Sequence, residues 1–449
     1  MKKFLSLGLI IALTVLSTVG CGSGSSNTSS KSPTATTATT ATTAAPATAV
    51  PQKAVTLKYM TWDYSDRKKS TDAFIKDVKD KFNITIDMQN VPTDQYQTLL
   101  KTRFAANDIP DLINVHKIDK NLIMEKFEIQ PDQLIDVSTL KSVADYSPVV
   151  LDNIKANKAG KLYYVPVATN VLGVMYNKKV FSDNGIAVPT TIDEFYAANE
   201  KLKTAKIVPM AAGFKDAWAA QIIPFIGFGQ YINTKNPKIN VQLANGTKKY
   251  ADLKDDLKKV LSLQSDWATK GYLSNDFLGT DINVASQMVG TGKAAMLICG
   301  TWQYKTIQNA DPNAQIGFFA LPLNAKGEKT VVPSSANGGI VINAKSANVE
   351  AAKQVLDFYL SAENQTRVIE DLNGIPTHSK VEVSSPFVKE VKAAMKAGDV
   401  QGDWWDPTYY PAGSTFQIAK EFQNLLAKGT TIEQFISDFD AANAKALVK

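Results

Sequence analysis

The sequence predicts an α/β protein of two lobes carried on a long polar tether. Short β-rich runs alternate with stretches of helical periodicity from Val55 onward, first in one half and then again in the other. The chain has 449 residues, 44% hydrophobic and 20% charged, so it holds apolar side chains for more than one core. At about 150 residues per domain, two or three domains are expected. No period of about 20 to 50 residues recurs that would make it a repeat array.

In chain order, residues 1 to 21 read MKKFLSLGLIIALTVLSTVGC, with Lys2 and Lys3 ahead of an apolar run from Phe4 to Val19. That is the layout of a secretory signal peptide, 1–20, and the run is short for a bilayer span, which needs about 20 apolar residues. Gly20-Cys21 followed by GSGSSNTSS resembles the lipobox of bacterial lipoproteins, where the cysteine sulfur carries a diacylglycerol; Thr18 stands where that motif takes an aliphatic residue. Lipidation at Cys21 is the expectation. Ordinary secretion, the alternative, would leave an exposed thiol at the mature end. Residues 21–54 are then a Ser/Thr/Ala-rich tether with too few large apolar side chains to offset its ordering entropy.

VTLKYM is a strand, and STDAFIKDVKDKF a helix with Phe74, Ile75, Val78 and Phe82 on one face and Ser70 as its N-cap. NITIDMQNV is the second strand, DQYQTLLKTRFAAND a helix with Tyr96, Leu99, Leu100 and Phe104 inward, and DLINVH the third strand. Such a βαβαβ unit implies a parallel sheet. Two apolar runs, GKLYYVPVAT and VLGVMYNKK, follow in succession. The second half brings a helix with a capping box from Thr191 to Glu194, the strand IVPMAA, a helix with Leu253, Leu257, Val260 and Leu261 on one face, and the strands KAAMLIC, IGFFALP and GGIVINA. Helices follow over SANVEAAKQVLDFYLSAENQTRVIEDL and at the C-terminus, where Phe435, Ile436 and Phe439 align.

Composition excludes several functions. The formal net charge is +6 and Arg67-Lys68-Lys69 is the only short basic run, which argues against a nucleic-acid partner. Two His and two Cys in the whole chain cannot build a zinc-finger type of site and make His-based catalysis hard to assemble. No cofactor or metal is implied. Cys299, inside AAMLICG, reads as buried core. Gly290-Thr291-Gly292-Lys293 lacks the spacing of a phosphate loop, and no G-x-S-x-G, H-E-x-x-H or EF-hand pattern occurs.

Taken in order, VTLKYMTWD, NDIPDLINV, the stretch from Gly160 to Phe195, VGTGKAAMLICGTW and the stretch from Gly338 resemble the extracellular solute-binding proteins of ABC importers, in the carbohydrate-binding group called family 1 that includes maltose-binding-like proteins. The resemblance runs from Val55 to the C-terminus. It implies a type II periplasmic-binding-protein fold, two α/β lobes joined by a multi-strand hinge, with 55–167 plus 332–376 as lobe 1 and 168–331 plus 377–449 as lobe 2. VPVATN and VVPSSANGG would be crossover segments, and the ligand would lie between the lobes.

A sugar presents hydroxyls at its rim and C–H bonds on its faces, so its receptor needs aromatic platforms and planar polar groups in a concave site. Trp62 leaves the C-terminal end of the first strand, where ligands bind in such folds, with Asp63 as companion acceptor; a cap on the core is an equal reading for Trp62. Trp302, in Gly300-Thr301-Trp302, matches a family position that stacks on sugar. At least one of Trp404 and Trp405, beside Asp406 in a proline-flanked loop, faces the cleft, with loop packing as the alternative. Trp218 is a further candidate that also fits an amphipathic core helix, and Trp267 is structural. Asn170 sits at one crossover, and Asn337 and Gly338 at the other, where amides could meet hydroxyls. Asp111 reads as structural, Tyr176 and Asn177 as a strand-to-helix turn, and His116 and His378 as surface residues rather than ligands.

The expected protein is a monomeric, non-enzymatic receptor, lipid-anchored on the outer face of the cell membrane, that captures a mono- or oligosaccharide and docks on the permease of an ABC transporter. Two rivals stay open: a secreted polysaccharide-cleaving enzyme, for which no privileged carboxylate pair is visible, and a binder of a peptide, polyamine or metal on the same fold.

Overall fold

Strand β1 (Val55–Thr61) pairs in parallel with β2 (Ile84–Asn90) and with β3 (Leu112–Val115), giving the parallel three-stranded unit expected from the alternating pattern. The computed structural model describes residues 54–115, 131–154, 161–383, 385–402 and 418–447. The helix Lys68–Phe82 buries Ser70, Phe74 and Val78 against this sheet, and the helix Thr93–Ala105 buries Tyr96 and Leu100. Ser70 is not the N-cap. A short 3-10 turn, Ser65–Arg67, runs directly into the helix, so Ser70 lies inside the first turn and its Oγ donates back to the Arg67 carbonyl at 3.1 Å.

The second sheet is mixed, and one long strand organises it. β4 (Ala168–Asn177) pairs antiparallel with β6 (Ala294–Gly300), β7 (Ile316–Phe319), β8 (Val331–Ala336) and the two-residue β10 (Ile375–Pro376). β5 (Val208–Ala211) adds to β6 in parallel, and β11 (Asp399–Gly402) adds to β8 in parallel. Asn177 ends β4 and starts the next helix as expected: its Oδ1 accepts from the Lys179 and Val180 amides, and its Nδ2 donates to the Val289 carbonyl at 2.9 Å. Thr191 caps the helix Ile192–Thr204, accepting from the Glu194 amide at 3.3 Å, while the Glu194 carboxylate reaches back one residue further, to the amide and hydroxyl of Thr190.

Two hydrophobic cores result. One gathers side chains from Leu57 to Ala168 and again from Ile340 to Val381; its sheet has the order β2-β1-β3-β9, with β9 (Gly339–Ile342) antiparallel to β3. The other gathers Val171 to Val332 and then Phe387 to Phe439 around the seven-stranded sheet. Among the described residues the chain therefore passes between cores three times: between Ala168 and Val171, between Val332 and Ile340, and between Val381 and Phe387.

The passages are tied side by side. Asn337 Oδ1 accepts from the Val167 and Ala168 amides, both at 3.1 Å, and the Asn337 amide donates to the Ala168 carbonyl at 2.8 Å. Ile375 pairs with Thr169, the Thr377 amide donates to the Val167 carbonyl, and the Thr377 hydroxyl donates to the Pro166 carbonyl. A hinge of adjacent, hydrogen-bonded strands bends while resisting shear, which suits rotation of two lobes about it.

Candidate functional site

Two clusters lie at strand ends, and each is built around tryptophan. In the second sheet β5 and β6 are parallel neighbours, with Val208 opposite Ala294 and Ala211 opposite Leu297, so their C-terminal ends open side by side. Past β5 the chain enters a 3-10 turn, Ala217–Gln221, that carries Trp218; past β6 a second one, Thr301–Gln303, carries Trp302. The two indoles meet with ring centroids 6.2 Å apart and planes tilted by 49°, both half-buried. Trp218 thus sits on a turn rather than along an amphipathic α-helix.

Trp302 is held from several sides. Its ring folds back over Gly300, where a Cβ would come within 1.8 Å of a ring carbon, so that position must be glycine for the ring to lie there. The Val171 amide donates to Thr301 Oγ1 at 3.3 Å, and Gln303 Nε2 donates to Ser286 Oγ at 3.1 Å, anchoring the turn before and after the indole. Because Leu172 pairs with Gly300, the half-buried Asn170 comes to the same end of the sheet, opposite Ser335. Next to it, Asn337 has its carbonyl oxygen committed to the hinge backbone, and Gly338 follows, half-buried.

The second cluster caps β1. Trp62 is half-buried and meets Tyr96 edge-on, with centroids 4.8 Å apart, so it rests against the first core while keeping part of its surface open. Asp63 is engaged through both oxygens: Oδ1 accepts from Thr61 Oγ1 at 2.6 Å and Oδ2 from Arg67 Nη2 at 2.5 Å. Arg67 is buried and its other arm donates to the hydroxyl of Tyr359. Asn114 Nδ2 donates to Thr61 Oγ1, and Tyr96 donates its hydroxyl to the carbonyls of Met60 and Asn114.

Burial alone would raise the Asp63 carboxyl, but the Arg67 guanidinium and the hydrogen bonds from Arg67 and Thr61 outweigh it and hold Asp63 below the usual aspartate value. Asp66, also desolvated and facing the Asp63 charge, is pushed up to about 6. Of this cluster, sequence reading singled out Trp62 and Asp63 only. Arg67 was within reach, four residues beyond Asp63, whereas Tyr359 is brought in by tertiary packing.

Other residues fall into structural roles. Trp267 is wholly buried beside Phe195. Asp111 accepts from the Lys58 amide and from Ser346 Oγ. Cys299 is a buried free thiol, with burial raising its pKa. His378 is not at the surface: its side chain is buried against Tyr146, and Nδ1 accepts from the Lys380 amide at 3.2 Å. Burial favours its neutral form more than Asp145 opposes this, so its pKa lies below the ordinary value. The unfolded chain then binds the proton more readily, and stability drains away as pH falls through about 6.5. Asp66, raised to about 6, pulls the other way over the lower part of this range, so the comparison is between variants: from pH 7.5 to 5.5 the urea midpoint of His378→Gln should fall less, or rise more, than that of the native protein, and an equal change in both would assign the slope to other groups.

Cys21, the tether, His116, Trp404, Trp405 and Asp406 lie outside the described residues. Among those described, no three His, Cys, Asp or Glu side chains gather as a metal site, and no helix is long and apolar enough to cross a membrane.

The model of the family described as bacterial extracellular solute-binding protein matches residues 64–366. A multiple sugar-binding protein of Streptococcus mutans is 26% identical over 330 residues, covering 72% of this chain and 76% of that protein. The melibiose/raffinose/stachyose-binding protein MelE of Bacillus subtilis is 25% identical over 291 residues, 62% of this chain and 64% of its own. Among solved structures, a chitin oligosaccharide binding protein superposes with a TM-score of 0.75 at 22% identity, covering 88% of this chain and all of that one. The solute-binding protein RafE, solved in complex with raffinose, gives 0.72 at 19% identity over 87% of this chain and 99% of its own. At such identities the structural likeness establishes the shared two-lobed fold.

Proposed function

The chain belongs to the bacterial extracellular solute-binding proteins, and from that membership we propose that it captures a sugar between its lobes and delivers it to an ABC permease. The observation that supports this reading most directly is the Trp218–Trp302 pair at the open ends of β5 and β6. Two partly exposed indoles offer apolar faces to sugar C–H groups, and Asn170 and the Asp63 carboxylate supply planar acceptors for hydroxyls. The lobes follow the two cores, 55–168 with 339–381 and 171–336 with 387–439, so the expected bounds at 331/332 and 376/377 move a few residues on, because β8 pairs with β4 in the second sheet and Val381 packs in the first core. Closure brings the Trp62–Asp63 cap toward the tryptophan pair. The relatives named for melibiose, raffinose and stachyose and for a chitin oligosaccharide set the first ligands to try.

The test is a thermal-shift screen with raffinose, stachyose, melibiose, chitin oligosaccharides and monosaccharides. A sugar bound by the folded state alone adds about 2.7 kcal/mol at a hundredfold excess over its Kd. A panel without a single shift would overturn the reading, and release of reducing sugar from a polysaccharide would turn it toward catalysis. With the best sugar at saturation, small-angle scattering should show a smaller radius of gyration. A profile that stays that of the free protein would count against closure.

The receptor works outside the cell as a monomer, and its anchor is a diacylglycerol on Cys21. A single flexible tether keeps the lobes close to the permease without fixing their orientation. Cys21→Ala should move the protein from the membrane fraction to the medium; retention with the membrane would sink the anchor.

A further inference from the structure

Asp63 lies two residues past the end of the first parallel strand, beside the half-buried Trp62, and its side chain is 22% exposed. It does not face the cleft as a free group. Each oxygen already holds one donor, Thr61 Oγ1 on one side and Arg67 Nη2 on the other. The Asn114 side-chain amide also acts on the carboxylate, and since an ionised carboxylate has about four acceptor positions, at least one remains for an incoming hydroxyl, its direction set by the donors in place. Arg67 in turn cannot wander. It is 6% exposed, and its second arm is tied to Tyr359 at the end of the helix Val349–Tyr359. We infer that Arg67 is a positioning residue, which fixes the Asp63 carboxylate as an acceptor-only group for a sugar hydroxyl without itself touching the sugar.

The inference rests on the sugar-binding reading above and deepens it. A buried guanidinium would be a poor direct contact, since both terminal nitrogens are used inside the lobe. Its effect on a ligand runs through charge and orientation. The groups facing Asp63 are Arg67 and Asp66 from its own turn, Tyr59 on β1, Tyr96 from the helix Thr93–Ala105, and Tyr359. Burial raises the phenols of all three tyrosines, so they stay neutral through the acid and neutral range. Arg67 is then the one cation opposing the burial of Asp63 within this set. Remove it, and desolvation together with Asp66 should bring the Asp63 proton on at higher pH. A protonated Asp63 would offer the sugar a donor where an acceptor had been.

The experiment compares D63N, R67M, R67K and the double variant D63N/R67M with the native protein. Two readouts are used: the titration of the Asp63 carboxyl carbon by NMR in the sugar-free protein, and the affinity for raffinose, or for whichever sugar of the panel gives the largest shift, at pH 7 and pH 5. In R67M the carboxyl should titrate above the native value, and affinity should fall about tenfold between pH 7 and pH 5 for each unit of that rise above pH 5. R67K, which keeps the charge, should restore most of the native profile. D63N should bind more weakly and show no such pH response, and D63N/R67M should match D63N within about twofold, because a residue acting only through Asp63 has nothing left to act on. Repeating the series with Asp66→Asn removes the titration of that neighbour from the comparison.

An Asp63 titration unmoved in R67M would overturn the inference. So would a double variant about tenfold weaker than D63N, which would put Arg67 on the sugar directly. If R67M fails to fold, Y359F frees one arm of Arg67 while keeping the charge. Its affinity should then fall in the native background and stay unchanged in D63N; a fall in both would equally overturn the inference. Should no sugar on the panel bind the native protein, the functional reading fails by itself, and the carboxyl titration still judges what Arg67 does to Asp63.

Discussion

Trp302→Ala is expected to weaken sugar binding by roughly 2 to 4 kcal/mol, on the order of thirtyfold to a thousandfold in affinity, by analogy with aromatic hot spots. The indole is half-buried, lies over Gly300 and tilts against Trp218, so its orientation is set before any sugar arrives. Preorganisation of that kind lowers the ordering cost of binding, and truncation forfeits it along with the contact area. Stability should fall only modestly, since the turn stays anchored through Thr301 and Gln303. Gly300→Ala gives an independent check: the new Cβ would collide with the ring, so affinity should drop although the aromatic group is still present. Calorimetric titration alongside urea denaturation separates the outcomes. Native affinity with a large loss of stability would put Trp302 in the core.

The opposite result is expected for Trp267. Its side chain is wholly buried, packs against Phe195 at a centroid distance of 5.5 Å, and its Nε1 donates toward the Tyr196 hydroxyl at 3.4 Å. Truncation to Ala leaves a cavity that the surrounding helices cannot fill, which costs roughly 3 to 5 kcal/mol of folding free energy. Sugar affinity should be unchanged at temperatures where the variant is folded. A stability loss below about 1 kcal/mol would show that the site collapses around the smaller residue.

These two tryptophans also mark what local sequence reveals. Trp267 falls on a helical face with Val260, Leu263 and Gln264, all buried, so periodicity suffices to place it. Trp302 stood out by its position after an apolar strand and by the family position it matches. That Trp218 stands next to it was not visible, because the meeting depends on β5 and β6 being parallel neighbours, a pairing that neither segment encodes alone. Strands and helices with clear periods were legible, and so was the Asn177 cap, whose partners lie within three residues. Ser70 misled, since a residue suited to capping says nothing about a 3-10 turn arriving just before it. The Arg67–Tyr359 contact and the place of His378 against Tyr146 join segments hundreds of residues apart. Such contacts are decided by the packing of whole elements.

The passage of the chain back and forth between the cores also governs how the molecule comes into being. Strand β3 is an outer strand until β9 arrives, because its partner for Leu112 is Ile342. The first core likewise waits for Val355, Leu356 and Ile369 before its helices can cover the sheet. A nascent or newly exported chain therefore cannot finish the N-terminal half while the C-terminal third is missing, and loops of more than two hundred residues must close first. Such non-local closure slows folding and leaves an apolar strand edge open to other chains in the meantime. Refolding from urea should accordingly be slow and sensitive to protein concentration, and a chain ended before Gly339 should fold neither half of its first sheet.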